Sequence, residues 1–178
     1  MNDLATIADQ AAAHELPFLL GGGHAVITHK YPRTTFDLDL IICRADKEKW
    51  TRLVGGIGYR LHHEGPSFVQ FEAAENNAYP LDLMLVNDET FSKLQADAVP
   101  APSGPRGVRV VSLLHLLAMK CHAIKHGHAG RILKDADDVI KLVQVNGVDL
   151  DSPEIRETFL QHGTLEFYEK VKKACRRE

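Results

Sequence analysis

The run Phe36-Asp37-Leu38-Asp39-Leu40-Ile41-Ile42 constrains the fold more than any other stretch of this chain. It is rich in β-formers, alternates apolar with acidic residues and then turns wholly apolar, which predicts a strand entering a core. Alternation sends Asp37 and Asp39 to one side and Phe36, Leu38 and Leu40 to the other. Two carboxylates so placed repel, and the arrangement is costly unless a cation or ligand binds there. Mg2+ (or Mn2+) suits such a site, because a hard divalent ion takes oxygen ligands and needs few of them from protein.

Upstream, Phe18-Leu19-Leu20 reads as a buried strand that runs into Gly21-Gly22-Gly23, and His24 to Thr28 reads as a short helix. A strand, a glycine turn and a helix therefore precede the acid-bearing strand. Downstream, Asp46 is expected to cap a helix that buries Trp50, Leu53 and Val54 and stops at Gly55-Gly56 and Gly58. Strands are expected over Tyr59–Glu64 and Ser67–Glu72, with a turn at Asn76-Asn77. A further strand, Tyr79–Val86, carries Asp82 between apolar neighbours, and an acid in that setting needs a partner. If this strand adjoins the first, three carboxylates converge opposite a glycine turn whose bare N–H groups can approach phosphate. That layout suits phosphoryl or nucleotidyl transfer.

The remaining elements are helical. Leu4, Ile7, Ala8, Ala11 and Ala12 recur at helical spacing, with Pro17 as terminator. Ala98 to Gly107, with its prolines, reads as a loop, and Val108–Val111 as an edge strand. Ser112 is expected to cap an apolar helix, a second helix runs from about Arg131 to Asn146-Gly147, and Ser152-Pro153 opens another. The fold class is α/β (α+β), a small mixed sheet flanked by helices with a helical C-terminal portion. With 178 residues and 44% hydrophobic content, one domain over 1–178 is expected, its sheet-containing part at about 1–97 and its helical part at about 108–178.

A net charge of −3 supplies no global basic field, so a nucleic-acid partner must meet a local patch. Lys120, Lys125, Arg131, Lys134 and Lys141 form the best candidate, whereas Lys170, Lys172, Lys173, Arg176 and Arg177 read as a solvated helix face. Three widely spaced cysteines, Cys43, Cys121 and Cys175, point to a reducing, cytoplasmic setting. No secretory start or membrane-spanning run is evident, and no membrane partner is expected.

Gly22-Gly23, thirteen intervening residues, then Asp37-Leu38-Asp39-Leu40 resembles the signature of the polymerase-beta-type nucleotidyltransferase superfamily. More narrowly, Gly-Gly-His-Ala-Val followed by Tyr-Pro-Arg-Thr-Thr-Phe-Asp-Leu-Asp-Leu resembles the AbiEii-like toxin nucleotidyltransferases and their small relatives. The resemblance covers about Leu4 to Val143. It implies the nucleotidyltransferase fold and transfer of a nucleoside monophosphate from a nucleoside triphosphate to RNA or protein, with an antitoxin as a partner of the toxin branch. It further implies that Asp37, Asp39 and Asp82 hold the metal, that Asp82 also serves as base, and that Gly22 and Gly23 cradle the triphosphate.

The stretch from Leu117 to Lys120, then Arg131, Lys134-Asp135 and Asp138, is similar to the lysine and Lys-Asp-x-x-Asp motifs of that branch, which makes Lys120 and Lys134 phosphate contacts by implication. On the residues alone, Lys120, Arg131, Asp135 and Asp138 fit an interhelical salt-bridge set as well as a ligand site. Arg33, Thr34 and Thr35 lie where they can touch phosphate, and turn chemistry accounts for them too. Cys121, His122, His126 and His128 read as hydrogen-bonded or solvated side chains rather than a zinc cluster, and His24 as a packing or turn residue. Two other readings share the glycine and acid pattern: an antibiotic-modifying small-molecule nucleotidyltransferase and a non-catalytic nucleotide-binding domain.

Overall fold

The computed structural model describes residues 2–74, 79–102, 104–127 and 129–176, with the backbone alone at 2, 3, 129 and 130. The expected Asn76-Asn77 turn, His128 and Arg177 lie outside the described residues. The chain divides into two compact units, one formed by 1–28 and 33–112 and the other by 29–32 and 113–178.

The first unit is built on a seven-stranded mixed sheet. In chain order its strands are β1 (Leu19–Leu20), β2 (Leu38–Cys43), β3 (Tyr59–Glu64), β4 (Phe68–Ala73), β5 (Leu81–Val86), β6 (Val99–Pro100) and β7 (Arg109–Val110). Across the sheet they run β3-β4-β5-β2-β1-β7-β6. The β2–β5 and β1–β7 pairs are parallel and the others antiparallel. Helices α1 (Asn2–Ala13), α2 (Gly22–Thr28), α3 (Lys47–Gly56) and α4 (Asp88–Asp97) complete the unit.

Alternation sets which residues of the central strands share a face. Leu81, Leu83 and Leu85 of β5 are buried, and Val69 and Phe71 of β4, their register partners or neighbours, are buried with them. Leu38, Leu40 and Ile42 extend that apolar face across β2. Trp50 and Val54 of α3, Phe91 and Leu94 of α4, and Leu4, Ile7 and Ala11 of α1 add further buried apolar side chains. The other face carries Asp39, Asp82, Met84, Phe68 and Gln70, together with Ile41, which is fully buried, so β2 is covered on both faces and the acids stand at its N-terminal end.

Four expectations need correction here. The acid strand begins at Leu38 rather than Phe36; Asp37 sits in a bend before it, and Phe36 is 74% exposed. Asp46 closes a 3-10 turn over Arg44–Asp46 and makes no side-chain cap, because its carboxylate accepts from Lys49 Nζ at 2.7 Å instead. The segment read as a loop from Ala98 contains β6, and β6 rather than the Val108–Val111 segment forms the edge. An edge suits Pro100, which has no N–H to give a ladder. Finally, α4 was not expected: Asn87 caps it by accepting from Thr90 N at 2.8 Å, and only Phe91 and Leu94 face inward.

The second unit comprises α5 (Leu113–His126), α6 (Ala129–Asn146), α7 (Pro153–His162) and α8 (Leu165–Cys175). α5 packs on α6 and α7, and α8 packs on α6 and α7. Buried Leu116, Leu117, Val139, Leu142, Phe159 and Val171 supply apolar contacts, and Tyr168 adds a polar anchor, its hydroxyl donating to Leu150 O at 2.7 Å. Ser152 caps α7 ahead of Pro153, as its sequence predicts, and Thr164 caps α8.

Candidate active site

The site face of the first unit is organised by register. Asp39 on β2 and Asp82 on β5 are direct partners across a parallel pair, so both carboxylates leave the same face of neighbouring strands. Asp39 is 4% exposed and Asp82 is half-buried. On the far side of Asp82, Gln70 of β4 is its antiparallel partner, and Gln70 Nε2 donates to both oxygens, at 3.2 and 3.1 Å.

On the near side of Asp39, Gly21 N donates to the Asp39 carbonyl at 2.8 Å, which brings the glycine turn against the acid strand. Gly22 has φ +50°, and a β-carbon there would stand 2.7 Å from Asp39 Cβ and closer still to its carboxylate. Only glycine meets both conditions, the left-handed backbone and the close approach. At Gly23 an added β-carbon would stand 2.7 Å from Thr35 Cβ. Thr35, 9% exposed, donates its hydroxyl to Asp37 Oδ1 at 2.7 Å. The two glycines thus abut, respectively, Asp39 and the Thr35–Asp37 pair.

His24 follows directly on α2. Burial holds its pKa below the ordinary 6.5, with the nearby Asp37 carboxylate pulling the other way. Its buried Nε2 has no hydrogen-bond partner among the described residues.

Among the described residues no three His, Cys, Asp or Glu side chains are gathered into a metal centre. The donor chemistry of the acid pair nonetheless fits Mg2+, which keeps several waters and takes only one or two protein carboxylates beside substrate phosphates. Asp39 and Asp82 supply two such oxygen donors from one face.

The basic residues singled out in the sequence belong to the second unit. Lys120 is 7% exposed; its Nζ lies 2.7 Å from Asp135 Oδ1 and 2.6 Å from Asp138 Oδ2, both buried. Arg131 and Lys134 are exposed on α6. His122 and His126 are neighbours on α5, their ring centroids 4.5 Å apart and their planes tilted by 46°. Gln70 is the site residue that sequence reasoning missed. Its strand was legible, but nothing in Phe-Val-Gln-Phe tells which position will oppose Asp82.

Two surface concavities lie elsewhere. One of about 510 Å3 is lined by Arg44, Ala45, Asn87, Asp88 and Glu89, at the opposite ends of β2 and β5 from the acids.

A mixed sheet with a glycine turn set against paired strand acids is the architecture of the nucleotidyltransferase fold, and solved structures bear that out. The antibiotic-resistance factor ANT(2'')-Ia aligns over 96% of this chain and 86% of its own, with TM-score 0.53 and 21% identity. An antigenic nucleotidyltransferase-like protein from Paracoccidioides brasiliensis aligns over 99% and 92%, with TM-score 0.58 and 14% identity. The lincosamide antibiotic adenylyltransferase LnuA, solved with lincomycin bound, aligns over 78% and 93%, with TM-score 0.53 and 18% identity. No protein-family model matches the chain, and no curated protein matches it. Among the described residues no helix is long and apolar enough to cross a membrane.

Proposed function

We propose that this protein is a metal-dependent nucleotidyltransferase that moves a nucleoside monophosphate from a nucleoside triphosphate to a hydroxyl acceptor. One observation carries the reading: Asp39 and Asp82 are register partners on one sheet face, and Gly22 lies against Asp39. Carboxylates held side by side at the cost of mutual repulsion are best explained by what binds between them.

In this reading the triphosphate lies along the bare backbone of Gly22 and Gly23, with Thr35 beside it. Asp39 and Asp82 would hold Mg2+ (or Mn2+), with Asp37 a third acid near Gly23 and Thr35, and the ion when bound would neutralise phosphate charge and lower the pKa of a coordinated hydroxyl. The acceptor oxygen attacks the α-phosphorus, the bond to the bridging oxygen of the β-phosphate breaks, and pyrophosphate leaves. The hydroxyl proton passes to Asp82, the half-buried member of the pair. Lys120 is committed to Asp135 and Asp138, while Arg131 and Lys134 are exposed on α6 of the second unit.

Two acceptor classes are supported by different observations. The glycine and acid motifs, similar to those of the AbiEii-like toxins, favour RNA or protein, with an antitoxin as partner. The likeness to ANT(2'')-Ia and LnuA favours a small antibiotic. The test is pyrophosphate release from each of the four triphosphates with Mg2+, using total cellular RNA, a protein mixture, an aminoglycoside or a lincosamide as acceptor. Release that depends on Asp39 supports the reading, and labelled nucleotide recovered on one acceptor assigns the class. Absence of release with every acceptor counts against catalysis.

A further inference from the structure

Gln70 stands beyond Asp82 in the row Gln70–Asp82–Asp39 that crosses β4, β5 and β2. A carboxylate only accepts hydrogen bonds, so the amide nitrogen of Gln70 must face Asp82, which fixes the orientation of the whole amide. Its two contacts, 3.2 and 3.1 Å, fall on both carboxylate oxygens and hold the plane of the group. The residue type matters as much as the geometry. Lysine or arginine here would neutralise Asp82, and glutamate would add another negative charge beside it. Glutamine supplies a donor while leaving the charge of Asp82 intact.

We infer that Gln70 is a positioning residue, which orients the Asp82 carboxylate toward the acceptor hydroxyl without changing its charge. The inference rests on the nucleotidyl-transfer reading above, in which Asp82 takes the acceptor proton. It adds a role for the β3–β4 hairpin, which brings a neutral donor to the acid from the side opposite the glycine turn.

The test compares wild type, Asp82→Ala, Gln70→Met and Gln70→Glu by pyrophosphate release with Mg2+, the four triphosphates and each of total cellular RNA, a protein mixture, an aminoglycoside and a lincosamide, with thermal unfolding measured alongside. Methionine keeps the length of the side chain without its donor. Glutamate keeps its length and polarity and remains informative if the methionine variant fails to fold. Both are expected to lower kcat by about tenfold or more, as loss of an orienting partner does, with triphosphate KM within about twofold. Turnover lost in Asp82→Ala but unchanged in both Gln70 variants would overturn the role of Gln70 and leave the function standing. No turnover in wild type with any acceptor would overturn the function and this role together, whereas Asp82→Ala as fast as wild type would overturn the role of Asp82 and with it that of Gln70.

Discussion

The carboxylate of Asp39 occupies the space that a side chain at Gly22 would need. Gly22→Ala therefore combines a left-handed backbone with a clash, and is expected to cost about 2–4 kcal/mol. Asp39→Ala removes the carboxylate and leaves only Cβ, 2.7 Å from the added methyl, so the glycine substitution should cost less in that background. Urea denaturation of the two single variants and the double variant measures the difference. Additive costs would show that the two residues do not meet.

Asp39→Asn and Asp82→Asn should separate activity from stability. Each is expected to lower pyrophosphate release by about a hundredfold or more, as loss of a catalytic acid or base does. Asparagine keeps the shape of each side chain, so thermal midpoints should change far less than activity does. A marked fall in midpoint for both would mean that the acids serve the fold.

The Lys120 cluster holds one buried ammonium against two buried carboxylates. Lys120→Met strands two charges and is expected to cost about 3–5 kcal/mol. Asp135→Asn leaves Lys120 paired with Asp138 and should cost much less. Chemical denaturation gives both values, and equal losses would refute this division of roles.

Burial pushes the Cys121 thiol from 9.0 up to about 12. Above pH 9 the unfolded thiol ionises while the native one keeps its proton, so the native state binds more protons and stability falls as pH rises. The contribution is fully present below pH 9.0 and is lost toward pH 12, at up to about 1.4 kcal/mol per pH unit. Unfolding free energies at pH 8 to 10.5 should decline more steeply for wild type than for Cys121→Ala. Parallel curves would place the thiol in a wetter environment.

Much of the site could be read from single segments. The alternation of Leu38, Asp39 and Leu40, the glycine run that opens α2 and the apolar flanks of Asp82 are local patterns, and each is present in the fold. The failures were also physical. α4 shows only two inward apolar residues, too few for a strong helical period, although Asn87-Asp88-Glu89 carries a good capping sequence. β6 and β7 are two residues long and owe their existence to each other and to β1. Asp37 left the strand because Thr35 holds its carboxylate in the bend.

The sequence by itself determined which residues alternate, where glycine is obligatory and which acids sit among apolar neighbours, since these follow from dihedral preference and period along contiguous chain. Only the tertiary structure decided that Asp82 stands opposite Asp39, that Gln70 stands opposite Asp82, and that Lys120 is committed to Asp135 and Asp138. Register between strands, like the pairing of helices, is set by loop closure and by the burial of distant side chains. No local pattern encodes it.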